Sequence, residues 1–186
     1  MAIVSKILEL TTLSEPAKNW LQKHAEHFTF KKGELVLQAG KVCSYLYYVQ
    51  SGMLGAYYLH DGLEVCNWLA LEHDFATSYY SFIARRPSYE SIECFENCRL
   101  EAISWETLQQ FYTLYPESER AGRLLLEDYY SRLEERLISI QFRTAKERYQ
   151  LLTERRPDII RRAPLGRIAS YLGMKQETLS RIRAER

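Results

Sequence analysis

The apolar residues of this 186-residue chain take a strand-like period over one long central stretch, and that stretch limits what the chain can fold into. From Phe28 to Ile103 they come in short β-branched and aromatic runs: Leu35 to Gln38, Tyr45 to Val49, Met53 to Leu59, Val65 to Leu71, Ser91 to Phe95 and Arg99 to Ile103. Turn residues separate them, as in Lys31 to Glu34, Gln50-Ser51-Gly52 and His60-Asp61-Gly62. Strand-length runs recurring at about eight to twelve residues predict an antiparallel sandwich or roll. Helices are expected around it. One spans 14–27, with Ser14 as N-cap and Trp20 and Leu21 as its packing face, and a short one spans 76–84. A third spans 105–115, capped by Ser104 with Glu106 in the dipole-favoured first turn.

From Pro116 onward the pattern is helical. Leu126, Tyr130, Leu133, Leu137 and Ile140 follow a 4-3-4-3 spacing, a short heptad seam flanked by Glu127, Arg132, Glu134 and Arg136. Such a helix either packs on its own β-domain or pairs with a second copy, and the charged flanks favour the pair. Another helix is expected over Thr144 to Arg155, then a connector over Asp158 to Ala163.

The last residues, Pro164 to Arg186, hold two short helical patterns that meet at a glycine. Ile168, Ala169 and Leu172 share one face of the first, and Leu179 and Ile182 share the inner face of the second. Gly173 and Met174 form the break, where glycine takes a left-handed turn that a side chain would penalise. This is the layout of a helix-turn-helix, whose second helix enters the DNA major groove. That helix is expected from Lys175 to Arg183. Gln176, Glu177 and Arg181 carry groups that suit base edges, and Lys175, Thr178, Ser180 and Arg183 suit phosphates. Glu177 and Arg181 are also spaced for an ordinary i,i+4 ion pair.

The net charge of +1 hides an asymmetry. Residues 143–186 carry twelve Lys/Arg against five Asp/Glu, a net of +7, and the remainder is −6. A basic tail on an acidic body points to a polyanion partner for the tail alone. No apolar run reaches membrane-spanning length and no signal peptide is evident, so no membrane partner and a cytoplasmic location are expected. Cys43, Cys66, Cys94 and Cys98 form no CxxC pair and are expected as buried free thiols, with Cys43 and Cys66 in strand-like runs. His24 and His27 are expected on one helix face. No metal site is expected, because neither the cysteines nor His24, His27, His60 and His73 are spaced as a ligand set. No His-x-His, Gly-x-Ser-x-Gly or phosphate loop is present, so no catalytic residues are assigned and an enzyme is not expected.

A β-roll, a long helix and a C-terminal helix-turn-helix, in that order, resemble the Crp/Fnr family of bacterial transcription regulators. The anchors are Gly33, Gly40 and Gly52 at roll turns, Asp74-Phe75, and Ile168-Ala169, Leu172-Gly173 and Glu177 to Ile182 in the tail. The resemblance runs from about Phe28 to Arg186. It implies an α+β fold: an N-terminal antiparallel β-roll of the jelly-roll type with flanking helices, then a dimerisation helix, then a small all-α DNA-binding domain. The corresponding boundaries are 1–115 for a cyclic-nucleotide-binding-like sensor, 116–142 for the dimerisation helix and 143–186 for the reader. The three base-contacting positions of the family fall on Gln176, Glu177 and Arg181; the first is usually arginine or another polar residue, and Gln176 implies a different preferred base there. Double-stranded DNA, a second copy of the chain and RNA polymerase are the implied partners.

In the family's best-known members the roll binds cyclic AMP through a Gly-Glu pair and an Arg-Ser pair. A gapless reading from Asp74-Phe75 places Thr77-Ser78 and Ser88-Tyr89 there, without the carboxylate or the guanidinium. Arg85 and Arg86 are the nearest replacement cations, and Tyr79, Tyr80, Phe82 and Tyr89 are candidates to fill the cavity. Tight cyclic AMP binding and any resident cofactor are therefore not expected. The iron-sulfur sensors of the family use cysteines near the N-terminus, and none precedes Cys43 here; for haem, Cys66 and His73 are the nearest candidates. A β-hairpin wing normally follows the recognition helix, and this chain stops at Arg186 without one. The alternative reading is a sensory module that binds a small molecule in the roll and docks a protein through its tail.

Overall fold

The computed structural model describes residues 2–185. Helices α1 (Ala2–Leu8) and α2 (Glu15–His24) precede the strands. Ser14 caps α2 by accepting a hydrogen bond from the Ala17 amide, and Pro16 sits in the first turn, where its missing N–H costs nothing. Eight strands follow: β1 (Glu26–Phe30), β2 (Leu35–Leu37), β3 (Tyr45–Ser51), β4 (Leu54–His60), β5 (Leu63–Ala70), β6 (Phe75–Ala76), β7 (Ser91–Cys94) and β8 (Cys98–Ser104). They pair antiparallel into two four-stranded sheets, ordered β1-β8-β3-β6 and β2-β7-β4-β5. Val49, Leu54, Ala56, Ile92, Leu100 and Ala102 close the space between the sheets with no exposed surface. The β4–β5 hairpin turns at Asp61-Gly62, both with positive φ (50° and 77°), as a two-residue turn matched to strand twist requires.

Helix α3 (Tyr79–Ala84) lies between β6 and β7, and α4 (Trp105–Leu114) follows β8 with Ser104 as its cap. Helix α5 (Glu117–Phe142) then runs 26 residues, about 39 Å at 1.5 Å per residue. Only Ser118 and Ala121 along it are buried; farther on, Tyr129 stacks on Tyr79 and Arg136 reaches the Cys66 carbonyl of β5. The tail holds α6 (Ala145–Arg155), α7 (Pro157–Arg162), α8 (Leu165–Tyr171) and α9 (Gln176–Ala184). A capping box starts α6: Thr144 accepts from the Glu147 amide, and the Glu147 carboxylate accepts from the Thr144 amide. Among the described residues, 143–185 carry helices and no strand.

The tail does not form an isolated core. Leu152, Ile159, Ile168 and Leu179 belong to one apolar cluster with Met53, Cys66, Leu69 and Phe95 of the roll. No helix is long and apolar enough to cross a membrane among the described residues.

Four expectations need correction. His24 ends α2, where its Nδ1 lies 2.7 Å from the Trp20 carbonyl, but His27 is on β1, so the two share no helix face. Cys43 lies in the loop before β3 rather than in a strand. The connector over 158–163 is largely the helix α7, started by Pro157 and ended by Arg161-Arg162. The helix expected over 76–84 begins at Tyr79, because Phe75 and Ala76 pair with Tyr48 and Tyr47 as β6.

Candidate nucleic-acid interface

The turn between α8 and α9 is made by the backbone. The Met174 amide donates to the Ala169 carbonyl and the Gly173 amide to the Ser170 carbonyl, both at 3.0 Å, with Gly173 at φ +64°. This pair of bonds is a Schellman termination, and it needs the left-handed residue that glycine supplies. Arg148 of α6 fixes the turn from outside, donating to the carbonyls of Leu172 (2.7 Å) and Gly173 (3.3 Å). Ile168, Ala169, Leu172 and Leu179 are buried and Ile182 is half-buried, so the inner faces are those read from the sequence.

The outer face of α9 is open. Lys175, Gln176, Glu177, Ser180, Arg181 and Arg183 are exposed, and Thr178 is half-buried. Lys175 is the N-cap residue and makes no side-chain cap bond, so no side chain occupies the first amides of α9. Among the described residues, no ion pair engages Lys175, Glu177, Arg181 or Arg183, and the possible Glu177–Arg181 pair does not form. The structure thus brings the seven residues onto one short helix, six of them on the accessible side.

The other arginines of the tail behave differently. Arg162 reaches the roll and donates to Glu72 (both bonds 2.8 Å) and to Glu96 (2.9 and 2.6 Å). Arg167 pairs with Glu64 at 2.8 Å and Glu93 at 2.9 Å and lies over the Tyr57 ring at 4.1 Å. Arg156 pairs with Asp74, and the Ser170 hydroxyl accepts from the Cys66 amide at 2.8 Å. Arg162 holds the Glu72 carboxyl down at about 2, well under the ordinary 4.5. Three of the tail's arginines therefore face carboxylates of the roll, and the argument from net charge overstates what is free for a polyanion.

In the roll, Thr77, Ser78 and Ser88 are 1–3% exposed and close on one another and on the backbone. Ser78 Oγ lies 2.9 Å from Ser88 Oγ, Ser88 Oγ donates to the Glu90 carbonyl (2.8 Å), and Thr77 Oγ1 donates to the Tyr45 carbonyl (2.9 Å). Tyr89 does not line this pocket: it is 72% exposed and its ring lies 4.9 Å from that of Tyr80 at the surface. Arg85 turns away to the Cys43 carbonyl, the Trp105 ring and Glu106. The residue that sequence reasoning missed is Glu90. Its carboxylate, on a residue 7% exposed, accepts from Asn67 (2.7 Å) and Trp68 (3.4 Å), two residues of β5 with no local relation to it.

All four cysteines are buried free thiols. Burial pushes the Cys66 thiol up to about 12, and His73 is hydrogen-bonded to the Tyr48 hydroxyl at 2.9 Å. No cluster of three or more His, Cys, Asp or Glu able to hold a metal occurs among the described residues.

On α5 the predicted seam is open to solvent: Leu126, Tyr130, Leu133, Leu137 and Ile140 are 41–63% exposed. None of them belongs to an apolar core cluster among the described residues.

Residues 27–115 match the family model of the cyclic nucleotide-binding domain. No curated protein matches the chain. Solved structures do. FixK2 from Bradyrhizobium japonicum is 19% identical, covers 87% of this chain and 83% of its own, and superposes with a TM-score of 0.72. The c-di-GMP-responsive global regulator CLP from Xanthomonas campestris is 18% identical over 92% of this chain and 91% of its own, with a TM-score of 0.71. A protein assigned to the transcriptional regulators of the Crp/Fnr family in Eubacterium rectale is 22% identical over 91% of this chain and 82% of its own, with a TM-score of 0.71. With residues 27–115 matching the cyclic nucleotide-binding domain model and these structures superposing along most of its length, the chain has the fold seen in the Crp/Fnr-family protein of Eubacterium rectale.

Proposed function

We propose that this chain is a sequence-specific, DNA-binding transcription regulator that works as a homodimer. The observation that carries the reading is the outer face of α9. A backbone-locked helix pair with a buried inner face presents Lys175, Gln176, Glu177, Arg181 and Arg183 to solvent without ion-pair partners among the described residues, while neighbouring arginines of the tail are paired. In this reading Gln176, Glu177 and Arg181 meet base edges, and Lys175, Thr178, Ser180 and Arg183 meet phosphates. Residues 1–115 are the sensor, 116–142 the dimer helix and 143–186 the reader, which acts on RNA polymerase from its operator.

The open seam on α5 supports the dimer, which would set two α9 helices about one DNA turn, ~34 Å, apart. The roll pocket supports a regulator that does not hold cyclic AMP tightly. The serine cluster is closed, no guanidinium reaches it, and Glu90 adds a buried carboxylate nearby, so a cyclic phosphate would meet repulsion in place of charge-assisted bonds.

Selection of bound sequences from a random DNA pool tests the function. A pseudo-palindrome with half-sites one turn apart is the expected result. On the selected site, Arg181→Ala should cost about 1–3 kcal/mol and relax preference at one base pair. An equal loss on every sequence would reduce Arg181 to a phosphate contact. A pool with no enriched sequence would sink the reading and favour a tail that docks a protein.

A further inference from the structure

A cavity of about 140 Å³ lies where α5 crosses β5 and the tail begins. Its walls are mainly apolar and aromatic, including Trp68 and Phe75 from the roll, Tyr79 from α3, and Leu125 and Tyr129 from α5. The Tyr79 and Tyr129 rings stack at 3.9 Å. Three guanidinium groups, Arg132, Arg136 and Arg156, share the lining with one carboxylate, Asp74, which leaves a formal charge of +2.

The three arginines are not equivalent. Arg132 is paired with Asp128, and Arg156 with Asp74. Arg136 has only neutral partners: the carbonyls of Cys66 (3.2 Å) and Tyr171 (3.3 Å), the Asn67 side-chain oxygen (3.4 Å), and the Tyr171 ring, 4.8 Å from its guanidinium carbon. Its Nε is buried and donates to nothing among the described residues. Native proteins rarely leave a buried charged donor unmade, and where they do an unplaced partner is a standard cause.

We propose that this cavity binds a small organic carboxylate with a ring-sized apolar body, its anionic end held by Arg136. Size selects the class. A cavity of about 150 Å³ holds a benzene, whereas pockets for drug-sized ligands start at about 300 Å³. The cavity takes a benzoate-like anion and is too small for a nucleotide. The charge comes from Arg132 and Arg136 of α5 and from Arg156, just after α6. A wider cleft of about 420 Å³ shares Arg132, Arg136, Arg156 and Tyr171 with the cavity, and so gives it an approach from solvent. The inference concerns binding alone and stands whether or not the tail reads DNA.

Calorimetric titration of the full chain at neutral pH with three probes tests it: benzoate, its neutral isostere benzyl alcohol, and inorganic phosphate. Benzoate should bind saturably, and about tenfold or more tighter than either control. Arg136→Met should weaken benzoate by about tenfold while leaving benzyl alcohol unchanged. Leu125→Trp, which fills the cavity on the helix side and keeps Arg136, should weaken both. An Arg136→Met chain that fails to fold leaves the three-probe comparison on the unaltered chain and the Leu125→Trp result to decide. No benzoate binding at about 10 mM overturns the proposal. So does phosphate binding as tightly as benzoate, or equal losses for benzoate and benzyl alcohol in Arg136→Met, which would make Arg136 a strut between α5 and the tail.

Discussion

At the scale of single residues, the best-supported structural role in the tail belongs to Arg162. It is the sole ion-pair partner of both Glu72 and Glu96 among the described residues, with all three side chains about a third exposed or less. After allowance for solvent screening, Arg162→Met should cost about 1–2 kcal/mol at neutral pH, read as a lower Tm of roughly 3–6 °C. The pH dependence has a defined sign. A carboxyl held below its unfolded value stabilises the fold above that value and loses the contribution as pH falls through its folded value. For Glu72 the window runs from 4.5 down to about 2. Unfolding titrations should show the unaltered chain losing stability through that window and Arg162→Met losing less; identical slopes would show that the pairs contribute nothing. Residue roles governed by near neighbours were legible in the sequence, including the Ser14 and Ser104 caps and the inner faces of α8 and α9. Glu90 and Arg136 were not, because their surroundings come from residues 22 to 70 positions away.

At the scale of elements, α5 is the test case. Leu137 is 55% exposed on α5. Leu137→Lys should leave helical content intact, because no core contact is lost, and should convert a dimer to a monomer in sedimentation equilibrium. A monomeric unaltered chain would refute the seam. The strands were legible because alternation and turn chemistry are local, down to Asp61-Gly62 at the β4–β5 turn. Two helices were not. In α1, Ile3, Val4 and Ile7 are buried, but its first amides are satisfied by Glu101, a carboxylate 1% exposed and some hundred residues away. No neighbouring cap announces it. In α7 the signals were present, Pro157 at the start and two arginines at the end, but six residues are too few to show a period.

At the scale of the molecule, the division of charge between body and tail has two destinations, which the sequence could not separate. Arg156, Arg162 and Arg167 are neutralised by the roll, whereas Lys175, Arg181 and Arg183 face solvent. The salt dependence of DNA binding distinguishes them. Two phosphate-reaching cations per protomer, Lys175 and Arg183, four per dimer, give a log–log slope of about −4; the whole net charge of the tail, doubled, would give about −13. A slope near the larger figure would mean that the tail detaches from the roll on DNA. The pairing of tail with roll has a consequence for discrimination. Cations free of partners hold any duplex, whatever its sequence, so a chain that covers three of them with carboxylates of its own weakens that indiscriminate grip. Glu72, Glu96, Glu64 and Glu93, none of them on α9, would then act as built-in competitors of random DNA, and the contrast between an operator and the rest of a genome would be set partly by residues that never meet a base.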